Sequence, residues 1–341
     1  MESQFNLLTN QIQIMNDELN TLNAQLSQCH SSKDRLKKEN KNSLTLAMHC
    51  LCQAMEMIQQ FLIHVDVVSI KQSIGKVFNL TNNLSTPFQT IVCQSHLGSA
   101  LASNTRRLLM DQRSYLQLFD QNLTLIKQYQ WRNGFIRDMS WSSVLKNFIL
   151  ITNNQRIYLV NEDMTTIGHI QDLPEEDWSS CTCSDDSLFV TTNDRGTRVF
   201  QFNLSPIIQL THKWQTPHSC QEHELIRDID YNNQTLAFII EDSLSNMVHL
   251  ELRSSKNLHL IWLFRSDISY QIFSSVIRCC SLPYDQWLLI DSNQSRLFHI
   301  DSDGQMKDTH VYEYPPWNAI SFQSDKLVIR TETSLNFHHI Y

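Results

Sequence analysis

The residues best suited to chemistry in this chain fall into a few short clusters. His218, Cys220 and His223 lie within the run HSCQEHE, where Glu222 or Glu224 supplies a fourth ligand. Imidazole, thiolate and carboxylate together suit a zinc ion, although this spacing matches no recognised zinc motif. Cys50/Cys52 and Cys181/Cys183 sit two residues apart. That spacing places two thiols on one face of a strand and does not form the Cys-x-x-Cys pair of a zinc ribbon or redox site. Arg137/Asp138 and Arg227/Asp228 combine a guanidinium with a carboxylate at the start of apolar strands. They could pair with each other or line a channel facing an anionic ligand. No glycine-rich phosphate loop, nucleophile elbow or His-Glu-x-x-His is present, so the motifs give catalysis no support.

The elements that position these groups repeat. Ile136–Trp141 (IRDMSW) recurs as Ile226–Tyr231 (IRDIDY), and a third copy, IRCCSL, begins at Ile277. An apolar run follows each copy after about ten residues: Phe148–Ile151, Ala237–Ile240, Trp287–Ile290. Candidate second strands start near Leu108, Phe148, Leu188, Ala237, Trp287 and Leu327, at intervals of 40 to 50 residues. A four-stranded propeller blade has about that length, with loop insertions accounting for the longer intervals. Asn, Asp and Ser turns separate the apolar runs, as expected of hairpins.

These strands resemble the WD40-like β-propeller superfamily from roughly Phe88 to Tyr341. Endings such as Phe119-Asp120, Val160-Asn161, Phe202-Asn203 and Ile300-Asp301 are similar to degenerate forms of that family's Trp-Asp ending. The Gly-His pair is missing, no unit ends in Trp-Asp, and the chain has only six glycines. A weaker similarity, to tripartite-motif proteins with NHL repeats, lacks their RING and B-box clusters. The expected fold is mainly β: a six-bladed propeller preceded by a long helical segment. Blades are expected near 98–131, 135–174, 179–215, 225–265, 275–314 and 317–341, with 88–94 as the closing strand of the last. Closure removes the unpaired edges that invite aggregation.

Ahead of the propeller, residues 1–68 contain neither proline nor glycine. Phe5, Leu8, Ile12, Met15, Leu19, Leu22 and Leu26 alternate at three and four residues, a coiled-coil seam expected to drive homo-oligomerisation. A polar stretch 69–87 reads as a linker. The net charge of -8 and the absence of a basic block argue against nucleic acid and acidic membranes as partners. No apolar run is long enough for a membrane span, and the N-terminus has no signal-peptide pattern, so a cytoplasmic or nuclear setting is expected. Nine cysteines then read as reduced thiols.

Tryptophans recur around the ends of fourth strands. Trp131, Trp178, Trp214 and Trp317 are the expected partner-binding residues on one face, while Trp262 lies within an apolar strand. The alternative role for such aromatics is packing between blades. The function expected is a non-catalytic protein-interaction scaffold or adaptor without cofactor or metal. Two alternatives are a substrate-recognition subunit of a ubiquitin ligase and a propeller hydrolase with a channel metal.

Overall fold

A computed structural model describes residues 84, 86–93, 98–172, 176–205, 207–269, 276–323 and 325–340. The chain divides into two units, Met1–Val77 and Phe78–Tyr341. The seam Phe5–Leu26, the helical segment 1–68 and nearly all of the linker lie outside the described residues.

The described residues form twenty-four strands, β1 to β24 in chain order, in six four-stranded antiparallel sheets. Five sheets are consecutive blades: β2–β5, β6–β9, β10–β13, β14–β17 and β18–β21. The sixth takes three strands from the C-terminus and one from the start of the propeller. There β1 (Gln89–Val92) pairs with β24 (Ser334–His339), Gln89 opposite Phe337 and Val92 opposite Ser334. The ring is therefore closed by the first and last strands of the propeller segment, and no described blade is left with three strands.

Six inner strands surround the axis: β2 (Leu101–Ser103), β6 (Ile136–Ser142), β10 (Trp178–Cys183), β14 (Glu224–Asn232), β18 (Ile277–Leu282) and β22 (Pro316–Phe322). Each blade's second strand is apolar on both faces because it is sandwiched between neighbouring blades. In β7 (Asn147–Thr152) every residue after the first is buried, and in β11 (Ser187–Thr192) all six are. The outermost strands face water: β5 (Leu125–Gln130) and β13 (Gln209–Trp214) have no buried residue. The core is accordingly divided into six apolar clusters, one at each blade-to-blade interface.

The shortage of glycine is met by other residues in left-handed conformations. Asn233 and Gln234, with φ of 48° and 66°, close the hairpin from β14 to β15 (Thr235–Asp242). Both angles are those of a type I′ hairpin turn, whose twist matches the flanking strands.

Candidate functional site

The inner strands enclose an axial cavity of about 270 Å³, lined by residues of all six inner strands. Which side chains enter it is decided by a one-residue irregularity. In β6 the pairing with β7 skips between Ile136 and Asp138, and in β14 the pairing with β15 skips between Ile226 and Asp228. A bulge of this kind reverses which side chains face inward. Asp138 and Asp228 therefore turn into the cavity, opposite Ile151 and Ile239.

The expectation that Arg137 and Arg227 also line the channel is corrected by the same bulge. Arg137 points away and pairs with Asp177 at 3.0 Å, while Arg227 pairs with Glu241, its Nε 2.7 Å from the carboxylate. β18 pairs with β19 (Gln286–Asp291) without a skip, so Arg278 stands opposite Ile290. Ile151, Ile239 and Ile290 are each the fifth residue of their strand. The third repeat thus places a guanidinium where the first two place carboxylates.

Arg278 reaches across the axis. Its Nη1 lies 2.6 Å from Asp228 Oδ1 and 3.2 Å from Asp138 Oδ2. The carboxylates in turn hold the next blade's backbone. Asp138 accepts the Cys181 N–H at 2.9 Å, Asp228 the Cys279 N–H at 2.7 Å, and Asp230 the Ser281 N–H at 2.7 Å. Thr182 bonds Asp230, Ser321 donates to the Ser281 carbonyl, and Ser103 donates to the Ser321 carbonyl. A chain of hydrogen bonds thereby links blade 2 through blades 3, 4, 5 and 6 to blade 1. Between blades 1 and 2 the inner contact is apolar, joining Ala100, Ala102 and Leu109 to Ile136 and Met139, and the polar links lie in the turns, where Arg106 pairs with Glu162 and Arg107 with Asp163.

Burial sets the electrostatics. It raises the Asp138 carboxyl above its ordinary range against the attraction of Arg278, and it pushes Asp230 to about 7 despite the bound N–H groups. The Ser180 hydroxyl lies within hydrogen-bonding reach of both Asp138 and Asp228 but has one proton to give. A proton retained on one carboxyl satisfies that geometry. Burial opposes the charge on the Arg278 guanidinium and favours the neutral Cys181 and Cys279 thiols, and the nearby carboxylates keep all three groups protonated. For the guanidinium the carboxylates outweigh burial; for the thiols both act in the same direction. Cys183 is pushed to about 12 by burial, so none of these thiols is poised as a nucleophile. Trp141 and Tyr231, the last residues of the two full repeats, are half-buried and complete the lining.

The expected aromatic binding face is corrected in part. Trp131 is buried between blades 1 and 2, with its Nε1 donating to the Gly134 carbonyl at 2.7 Å and its ring edge-on to Tyr158. Trp178 opens an inner strand rather than following a fourth one, and is 1% exposed against Phe200. Trp214 is half-buried and stacks on His212, and Trp317 occupies the bulge of β22. Large rings fill the wedge between blades, which is why their spacing follows the repeat. Two connections of the kind expected to carry the face do present aromatics: Phe135 is 39% exposed and Tyr314 51%. Sequence patterning favoured the larger tryptophans and passed over both.

The His218–Glu224 cluster does not converge. Cys220 is buried with its thiol toward the carbonyls of Thr197 and Glu224, His218 is exposed, and His223 faces Asp242 at 3.5 Å. Among the described residues no group of three or more His, Cys, Asp or Glu is arranged to hold a metal.

No protein-family model and no curated protein matches the sequence. Solved structures match the fold. One is described as the crystal structure of the mitotic checkpoint complex, with a TM-score of 0.55 at 9% identity, covering 79% of this chain and 94% of that one. Another is a streptogramin B lyase, with a TM-score of 0.53 at 8% identity, covering 74% of this chain and 98% of that one. At these identities the likeness is one of fold alone. One neighbour belongs to an assembly and the other is an enzyme, so architecture alone does not choose between those roles.

Proposed function

We propose that this protein is a non-catalytic interaction module, a scaffold or adaptor that engages a protein partner on the face formed by the fourth-to-first-strand connections. The observation that carries the reading is the use made of the axial carboxylates. Asp138, Asp228 and Asp230 are each taken up by backbone N–H groups of the following blade, and two of them also by Arg278. Groups committed to holding blades together are not free to bind a catalytic metal or activate water, which weighs against a channel hydrolase. Phe135 and Tyr314, exposed on connections of the same face, are the best anchors for a partner, since buried aromatic anchors dominate protein interfaces.

Self-association through Phe5, Leu8, Ile12, Met15, Leu19, Leu22 and Leu26 rests on their heptad spacing. It would give the propeller multivalency, which raises apparent affinity through effective concentration. A role as the substrate-recognition subunit of a ubiquitin ligase is the more specific form of this reading. A cytoplasmic setting fits the six described cysteines, all free thiols. The test is binding to a protein partner by the full-length chain. Phe135→Ala and Tyr314→Ala should each weaken it by about 2 kcal/mol with the melting temperature unchanged. Equal binding by wild type and both variants removes the face assignment.

A further inference from the structure

The seam where the ring closes contains a charge that no neighbour in the described structure satisfies. Arg330, on β23 (Lys326–Thr331), is completely buried at the interface of blades 6 and 1. Its Nε, Nη1 and Nη2 all lack a hydrogen-bond partner. At the end of β3 (Leu108–Asp111), the buried Asp111 uses one carboxyl oxygen to accept the Arg113 N–H at 2.7 Å, while its Oδ2 has no partner. Gly98, at φ +107°, seals this oxygen from the other side: a Cβ there would lie 2.6 Å from Oδ2. Cys93 is the other titratable group coupled electrostatically to Arg330. Its thiol is pushed up by burial and touches the Met110 sulfur at 4.0 Å.

Folded proteins rarely leave a buried guanidinium unbonded, because a dry, unpaired charge is among the costliest arrangements. Asp111 is the obvious counter-charge, yet burial pushes its carboxyl to about 7. Below about pH 7 the carboxyl is mostly uncharged and can donate a hydrogen bond. The seam then contains one positive charge, up to five guanidinium N–H donors and a carboxyl O–H, with no anion among the described residues to receive them.

We propose that the seam between blades 6 and 1 binds a small inorganic anion of halide size, held by the Arg330 guanidinium with the Asp111 carboxyl as second donor. The site exists only when the ring is closed, so the anion acts as a lock on closure. None of its residues lines the axial cavity.

Full-length protein would be melted at pH 6 in bromide, chloride or gluconate at equal ionic strength. A saturable halide-specific rise of roughly 2–4 °C is expected, absent in Arg330→Met. Crystals grown in bromide should show an anomalous peak against the Arg330 guanidinium. No halide-specific rise, or a rise unchanged in Arg330→Met, overturns the proposal. If Arg330→Met does not fold, the wild-type crystal decides: a bromide peak at Arg330 supports the site, and its absence means that ordered water solvates the charge.

Discussion

Replacing Arg278 by methionine is the sharpest perturbation of the axial network. Its guanidinium contacts Asp228 at 2.6 Å and Asp138 at 3.2 Å, and the three side chains are 12%, 5% and 8% exposed. Methionine retains much of the stem but leaves two buried carboxyls without a counter-charge. Breaking one buried ion pair costs about 3–5 kcal/mol, so a loss near the top of that range is expected at pH 8. The sign of the pH dependence follows from burial. It already raises Asp138, and removing the cation raises the folded-state affinity for a proton further. The penalty is therefore full where both carboxyls ionise, shrinks as pH falls, and is small near the ordinary carboxylate range of about 4. Urea unfolding at pH 8 and pH 5 measures this directly, and the melting temperature at pH 8 should fall by roughly 10 °C. Arg278→Met within about 1 kcal/mol of wild type at pH 8, or an equal loss at both pH values, would refute the claim that this ion triad holds the ring.

Four further outcomes are expected. Removing residues 1–68 should leave a cooperatively melting propeller, whereas removing 1–95 deletes β1, exposes the edge of β24 and should give aggregates by light scattering. Trp178→Ala, deep between blades 2 and 3, should cost about 3–5 kcal/mol in denaturant unfolding, as large buried aromatics do. Gly304→Ala should also destabilise, by about 1–3 kcal/mol, because φ is +78° and the new Cβ would lie 2.7 Å from the Trp262 ring; a neutral result would show that this contact yields easily. Asp230 and Asp111 are both raised to about 7 by burial, so ionising them opposes folding. Wild-type stability should decline as pH rises from about 4 to about 7, and Asp230→Asn should flatten that decline in urea titrations.

The blade repeat was legible because a second strand must be apolar on both faces, and runs such as Phe148–Ile151 and Trp287–Ile290 recur at intervals of 40 to 50 residues. The closing strand was legible from an unpaired run at each end. Side-chain facing on the inner strands was not. The motif Ile-Arg recurs in all three copies, yet Arg137 and Arg227 sit on bulges and Arg278 does not, and nothing local in the sequence marks that difference. Asp230 could have been found, since it lies two residues after Asp228 in a strand whose alternate side chains share a face. The tryptophans show the opposite failure: periodic spacing follows the blade, and filling the wedge between blades produces the same period as a binding face. Arg330 gave no signal, because its isolation arises from long-range closure of the ring.

The central claim is that the axial carboxylates hold the ring while a surface face binds protein. Its most direct test is quantitative capture by full-length wild type, by Phe135→Ala/Tyr314→Ala, and by Asp228→Asn assayed where it remains folded. The account predicts a stoichiometric protein partner retained by wild type and by Asp228→Asn, and lost from the double surface variant with its melting temperature unchanged. Retention by the double variant, or a small-molecule turnover abolished by Asp228→Asn in a folded protein, would contradict it.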